Sequence, residues 1–185
     1  MDLNKAINER HSTRKFTSKK PDWRTILECI DSARFAPMAG NNYTAKFILV
    51  DDREKIEKLT EACQQPFVGE AHYIVVVCSI KRGVINAYGE QAETFVRQQA
   101  GAAIQNFLLR LTEEGLATCW IGYFAEEQVR RILKIPSKAQ VEALFPVGYE
   151  FEKKHAKTEK IDLDTIMYFD IYGNKRMKRI TKQEV

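Results

Sequence analysis

The sequence predicts one α+β domain with a single small sheet and helices around it. Helix-like segments outnumber strand-like ones, and their irregular order does not suit a repeated strand-helix-strand unit. Residues 73–80 are apolar almost without interruption, which is typical of a strand covered on both faces. The chain has 185 residues, of which 44% are hydrophobic, and this is enough to fill one sizeable core.

The first predicted elements are two helices. After a short opening helix and a basic stretch, Pro21 introduces a second helix whose apolar residues recur at helical spacing, so one face should be buried. That helix should end before Pro37, because the residue ahead of a proline is disfavoured in the helical conformation. Residues 38–42 then have turn chemistry. The predicted buried face consists of Trp23, Ile26, Leu27, Ile30 and Ala33.

The middle of the chain is predicted to contain two strands and two helices. Residues 46–50 form a strand, an aspartate at 51 or 52 caps the helix that follows, and residues 73–80 form the central strand. The longest helix runs from about residue 90 to 114, and Gly115 lies where a C-terminal cap belongs. Its wide apolar face consists of Phe95, Ala100, Ala103, Ile104, Phe107, Leu108 and Leu111.

The last predicted elements are a third strand at 116–121, a short helix at 126–133 and a fourth strand at 141–149 that Pro146 interrupts. Apolar residues continue beyond this apparent end of the domain. They must bury their side chains against their own subunit or against another, and the sequence alone leaves both alternatives open. These residues are Leu163, Ile166, Met167, Phe169, Ile171 and Tyr172.

Composition argues against several classes of protein. No apolar run reaches the roughly 18 residues of a membrane span, and the first residues are charged, so we expect a cytoplasmic protein without a membrane partner. The net charge of +4 is modest, and much of it lies in a basic tail that we expect to be solvated and not bound to nucleic acid. The tail residues are Lys175, Arg176, Lys178, Arg179 and Lys182. The cysteines lack paired spacing, so free buried thiols and no metal are expected at Cys29, Cys63, Cys78 and Cys119.

The basic stretch after the opening helix is a candidate anion site. In an extended chain alternate residues point the same way, so Arg10, Ser12 and Arg14 would share a face. Two guanidinium groups and a hydroxyl suit a phosphate through charge-assisted hydrogen bonds. A basic loop that is merely solvated has the same pattern. The sequence lacks a glycine-rich phosphate loop, a nucleophile elbow and a zinc-binding helix, which favours a protein whose cofactor performs the chemistry.

Four motifs in order resemble the FMN-dependent nitroreductases. Residues 10–16, Arg-His-Ser-Thr-Arg-Lys-Phe, resemble the opening motif of that family. Residues 36–42 are similar to its proline- and asparagine-containing turn, and residues 101–109 to its central dimer helix. Residues 115–122 are similar to the strand that follows, and residues 145–149 extend the match.

The resemblance implies a nitroreductase-like α+β fold, with a small mixed or antiparallel sheet of four to five strands flanked by helices. It implies one flavin-binding domain over residues 1–185, whose C-terminal extension, about residues 150–185, lies on the partner subunit. The protein would be a homodimer with FMN at the interface. NADH or NADPH would be the co-substrate, and a nitroaromatic, a quinone or a comparable small molecule would accept the electrons in an alternating half-reaction.

The resemblance also implies roles for individual residues, with the flavin and not a side chain carrying the reaction. Arg10 and Ser12 would hold the FMN phosphate and ribityl chain, and His11 would lend backbone contacts. Arg14 would lie beside the pyrimidine edge, where a positive charge favours the anionic reduced flavin. Further cofactor-binding residues would be Pro37, Met38, Ala39 and Asn41 from the other subunit, Trp120, Ile121 and Gly122 near the ring system, and Lys160 on the phosphate.

Two other functions stay open at this point. A basic binding module without a cofactor could use the same arginines and the tail to hold a polyanion, although aromatic residues do not interleave with them as a stacking platform would need. A flavin-binding sensor would keep the cofactor but lack turnover. Trp120 and Ile121 also have a simpler interpretation as ordinary core residues.

Overall fold

The structure, a computed structural model, describes residues 2–152 and 160–177. The chain divides into two compact units, Met1–Lys153 and Lys154–Val185. In the first unit the helices are α1 (Leu3–Glu9), α2 (Trp23–Ala33), α3 (Arg53–Cys63), α4 (Arg82–Tyr88), α5 (Ala92–Glu113) and α6 (Glu126–Leu133). Its strands are β1 (Ala45–Val50), β2 (Tyr73–Ile80), β3 (Ala117–Thr118) and β4 (Ala139–Gly148). The second unit contains the helical turn α7 (Leu163–Ile166).

The sheet has the order β1-β2-β4-β3, and every neighbouring pair is antiparallel. Alternate side chains of β2 point to opposite faces. Tyr73 and Val75 join the core formed with α2 and α5, whereas Ile74 and Val76 join the core formed with α3 and α6. The prediction of an α+β fold with a central strand covered on both faces is therefore confirmed.

Local capping signals fix several helix ends. The side chains of Asp2, Asp22 and Asp52 each accept a hydrogen bond from a backbone N–H in the first turn of α1, α2 and α3. At the end of α5, Gly115 has a φ of +70°, and the N–H of Leu116 donates to the carbonyl of Leu111 at 2.9 Å. This is a Schellman cap, so the predicted role of Gly115 is confirmed.

One helical prediction was wrong in part, and one helix was not predicted. Trp23 and Leu27 are each 43% exposed, and the buried face of α2 consists instead of Ile26, Cys29 and Ala33. The predicted long helix agrees with α5 within two residues at its start, and the separate helix α4 over residues 82–88 was not predicted from the sequence. The two helices are separated by Gly89, which has a positive φ, and the long helix α5 begins only at Ala92.

The third strand is shorter than predicted, and the fourth is not interrupted. Leu144 exchanges both of its backbone hydrogen bonds with Ile121, at 2.9 and 3.0 Å, so its polar groups face the third strand. Pro146, two residues along β4, faces the same side and has no N–H to offer. Regular pairing of the third strand with β4 is accordingly confined to β3, and residues 119–120 are not paired beside Pro146. On its other side, Pro146 stays paired with Ile74 of β2.

The second unit exposes most of its apolar side chains. Within residues 160–177, Met167 and Phe169 are partly buried. The exposed ones are Ile161, Leu163, Ile166, Ile171, Tyr172 and Met177. Of the basic tail, Lys178, Arg179 and Lys182 lie outside the described residues, as does part of the predicted C-terminal extension. Among the described helices, none combines the length and the apolar character that a membrane span requires.

Candidate functional site

The N-terminal segment, residues 10–16, lies along the ends of β3 and β4. The N–H of Thr13 donates to the carbonyl of Thr118 at 2.9 Å, which ties the middle of the segment to β3. Phe16 forms a bridge with Glu150, and its buried ring covers Gly148, where a Cβ atom would lie only 3.0 Å from the ring. The segment is thus extended and fixed in register, although no helix or strand of its own contains it.

The carboxylate of Glu150 binds two alternate residues of this segment. Its Oε1 accepts hydrogen bonds from His11 Nε2 at 2.8 Å and from the hydroxyl of Thr13 at 3.3 Å. Thr13 is buried, whereas Ser12 and Arg14 on either side of it are exposed. Since successive residues of an extended chain face opposite sides, this arrangement supports a common face for Arg10, Ser12 and Arg14.

His11 is held at both ring nitrogens. Besides the contact with Glu150, its Nδ1 lies 2.7 Å from the carbonyl oxygen of Glu9. The hydrogen bond with Glu150 and then that with Glu9 raise the pKa of His11 above its usual value, against the opposing effects of partial burial and of Arg10. Only backbone contacts were predicted for this histidine from the sequence, and the structure adds a side-chain role.

The turn of residues 37–42 is the second candidate segment. Gly40 and Asn41 both have positive φ angles, 56° and 57°, and the side chain of Asn42 closes the turn by donating to the carbonyl of Gly40 at 2.9 Å. Pro37 and Asn41 are exposed, whereas the side chains between them are half-buried. The half-buried residues are Met38 and Ala39.

Helix α4 packs closely against this turn. A Cβ atom at Gly83 would lie 2.6 Å from Oδ1 of Asn42, so only a glycine fits there without a shift. A Cβ atom at Gly40 would lie 3.2 Å from the hydroxyl of Tyr88, whose ring in turn meets Phe95 edge-on at 5.0 Å. The helix missed in the sequence therefore determines how the turn is supported.

The third candidate segment, residues 120–122, has mixed character. Ile121 is a core residue, as its simpler interpretation expects. Trp120 is 44% exposed and packs edge-on against Phe145, with ring centroids 5.4 Å apart. A Cβ atom at exposed Gly122 would meet only the Trp120 side chain, at 3.8 Å, which leaves open space beside this backbone.

Comparison with known proteins identifies the family. The sequence profile of the nitroreductase family matches residues 7–65 and 60–149. The chain belongs to this family. A relative from Methanothermobacter thermautotrophicus, provisionally named an NADH dehydrogenase/NAD(P)H nitroreductase, is 30% identical over 159 residues, which are 82% of this chain and 79% of the relative.

Solved nitroreductase structures share the fold. A nitroreductase family protein from Clostridium novyi NT has a TM-score of 0.75 at 27% identity, over 94% of this chain and 96% of the other. The NADPH:FMN oxidoreductase of Vibrio harveyi, solved in complex with NAD+, has a TM-score of 0.82 at 19% identity, over 92% of this chain and 77% of that one. The predicted nitroreductase-like fold is thereby confirmed.

This nitroreductase chain brings together two of the three candidate segments. The bond from Thr13 to Thr118 places the N-terminal segment beside the stretch that leads to Trp120. The turn of residues 37–42 packs against α4 and α5 instead, and no hydrogen bond between described residues joins it to the N-terminal segment. Lys160 is exposed and belongs to the second unit, so its role stays a prediction.

The structure also identifies residues that the motifs did not single out. Glu150 lies 139 residues from His11 in sequence, and Gly83 lies 41 residues from Asn42, so no local pattern links either pair. A carboxylate directly after the fourth strand and a glycine early in a short helix are the only signals present. They become informative once the register of β4 and the position of α4 are known.

The cysteines of this nitroreductase are buried and free, as predicted. Burial raises the pKa of Cys29 to about 12 and those of Cys63 and Cys78 to about 11, which keeps these thiols protonated and poorly nucleophilic at neutral pH. Across the described part of the chain, no cluster of potential ligands could hold a metal ion.

Proposed function

We propose that this nitroreductase-family protein binds FMN at the interface of a homodimer and passes electrons from NADH or NADPH to a small acceptor. A nitroaromatic or a quinone is the proposed class of acceptor. The observation that carries the proposal is the binding of His11 and Thr13 to Glu150, which supports a common face for Arg10, Ser12 and Arg14 on the other side of the segment. A cytoplasmic location stays a prediction from the sequence.

The donor set of this face fits the phosphorylated tail of FMN. Arginine offers several N–H donors in a fixed fork, and a hydroxyl adds a further donor, so a phosphate at this face would receive charge-assisted hydrogen bonds. Ser12 and Arg14 are exposed, which leaves their polar groups accessible. The proposed roles are phosphate and ribityl binding for Arg10 and Ser12, and charge beside the pyrimidine edge for Arg14.

The adjoining stretch fits a flat aromatic ring system. Gly122 leaves open space beside the backbone, and Trp120 exposes part of its ring while Phe145 supports the other part. Bound FMN supplies the hydride-accepting and electron-donating chemistry. The protein chain would bind and orient it, and we assign no general acid or base to a side chain.

Exposed apolar residues support self-association. In the first unit, Leu3 and Ile7 lie one turn apart on α1, and Leu27 and Phe35 line one shallow cavity near the end of α2. Exposed apolar side chains of this kind are available to an interface between subunits. In the proposed dimer the turn of residues 37–42 would contact the cofactor bound mainly by the other subunit, and the C-terminal extension would lie on that subunit.

A spectroscopic titration of the purified protein tests the proposal. We expect a yellow dimer with a flavin spectrum that bleaches under NADH or NADPH without oxygen and recovers when a nitroaromatic or a quinone is added. A colourless protein that ignores added FMN would contradict the proposal and favour the polyanion-binding module. Bound flavin that no reduced nicotinamide bleaches would instead indicate a sensor.

A further inference from the structure

The side chain of Glu150 is the starting point of the inference. It is 17% exposed and lies at the end of β4, where one oxygen accepts from both His11 and Thr13. A carboxylate at this position is not needed for the backbone bridge between Phe16 and residue 150, because that bridge uses main-chain groups. The side chain therefore has a role of its own, which is to hold the alternate residues of the N-terminal segment.

The geometry around His11 favours a charged ring. Nδ1 faces the carbonyl oxygen of Glu9 at 2.7 Å, and Nε2 faces the carboxylate of Glu150 at 2.8 Å. Neither oxygen carries a hydrogen when Glu150 is ionised, and a neutral imidazole has only one N–H to donate. With Glu150 ionised, both hydrogen bonds exist together only when His11 is an imidazolium, and the contact with Glu150 is then an ion pair.

We propose that His11 and Glu150 form a clamp that positions Arg10 and Ser12 for the phosphate of FMN and that loosens as the pH rises. The clamp rests on the proposed function, and it makes His11 and Glu150 positioning residues whose side chains do not touch the cofactor. Holding residues 11 and 13 on one side turns residues 10, 12 and 14 to the other. The side chains that bind the anion are thereby oriented before the anion arrives, which lowers the ordering cost of binding.

The direction of the pH effect follows from the charges that face His11. Glu150 favours the charged ring and Arg10 opposes it, and the net result is a His11 pKa above its usual value. A group whose pKa is raised by folding stabilises the folded state at low pH, and that contribution is lost as the pH rises through the folded-state pKa. Above that pKa His11 keeps only one of its two hydrogen bonds, so the segment should bind phosphate less well.

Paired titrations with FMN and riboflavin test the clamp, because riboflavin lacks the phosphate. For Glu150→Gln we expect FMN affinity to fall about tenfold and riboflavin affinity to fall by less, since a hydrogen bond to a charged group is replaced by a weaker one. Glu152→Gln removes the same charge two residues along the chain and should leave both affinities unchanged. An equal loss for both ligands, or no loss of FMN affinity, would overturn the clamp. Thr13→Val offers a second variant, which removes one of the two contacts and should cause a smaller FMN-specific loss.

Two pH measurements complete the test. The first is the ratio of the wild-type affinity for FMN to that of Glu150→Gln, in which the titration of the phosphate itself cancels. We expect this ratio to decline with rising pH. A ratio that does not change with pH contradicts the clamp. In the ligand-free protein, the NMR titration of His11 should shift to lower pH in Glu150→Gln, and an unchanged titration overturns the clamp whatever FMN does. A wild-type protein that shows this His11 shift but binds no FMN would refute the proposed function, not the His11–Glu150 pair.

Discussion

The N-terminal segment and the turn of residues 37–42, both assigned to the cofactor, are held in different ways. Polar contacts hold the first, through Glu150, Thr118 and the carboxylate of Glu70, which accepts from the N–H of Phe16 at 3.2 Å. Close steric contacts hold the second, where a Cβ atom at Gly83 of α4 would lie only 2.6 Å from Oδ1 of Asn42. The difference teaches that charge and pH should control one half of the site, whereas side-chain volume should control the other.

The largest effect is expected when the guanidinium group of Arg10 is removed from the N-terminal segment. Arg10→Ala should weaken FMN binding by roughly 1.5 to 3 kcal/mol, because a charge-assisted hydrogen bond is lost. Fluorescence titration of the apoprotein with FMN measures this change. Arg10→Lys keeps the charge but not the forked geometry, so its FMN affinity should lie between those of the wild type and Arg10→Ala. Arg131→Ala on α6 serves as a surface control. FMN affinity that survives Arg10→Ala would remove this segment from the phosphate site.

The second-largest effect is expected at the steric contact between α4 and the turn of residues 37–42. Gly83→Ala should destabilise the protein by up to about 2 kcal/mol. Overpacking against Asn42 costs roughly 1 to 3 kcal/mol, and the higher helix propensity of alanine offsets about 1 kcal/mol of that cost. Urea unfolding measures the change. In an Asn42→Ala background the clash is gone, so Gly83→Ala should become stabilising. If its effect has the same sign in both backgrounds, the contact between α4 and the turn does not constrain the site.

The smallest expected effect concerns the charge beside the flavin ring. Arg14→Leu should lower the reduction potential of the bound flavin by an amount equivalent to about 1 kcal/mol, since a solvent-exposed charge interacts weakly with its neighbours. Arg14→Lys retains the charge and should leave the potential nearly unchanged. Redox titration against a reference dye distinguishes the two variants. An unchanged potential in Arg14→Leu would show that this charge is not near the ring.

Much of the fold could be predicted because its signals are local. The aspartate caps, the glycine that ends α5 and the apolar run of β2 each depend on residues within a few positions of one another. The errors arose where burial or strand length depends on residues that are distant in the sequence. The burial of Trp23 depends on what faces α2, and the length of β3 depends on the missing N–H of Pro146 in β4.

By itself the sequence determined the helical and strand periods, the caps and the family motif around Arg10, Ser12 and Arg14, since each is encoded in neighbouring residues. Tertiary structure alone decided that Glu150 would hold His11 and that α4 would press on Asn42. Such contacts join residues far apart in the chain, and they exist only when strand register and helix packing bring the partners within hydrogen-bonding or van der Waals distance.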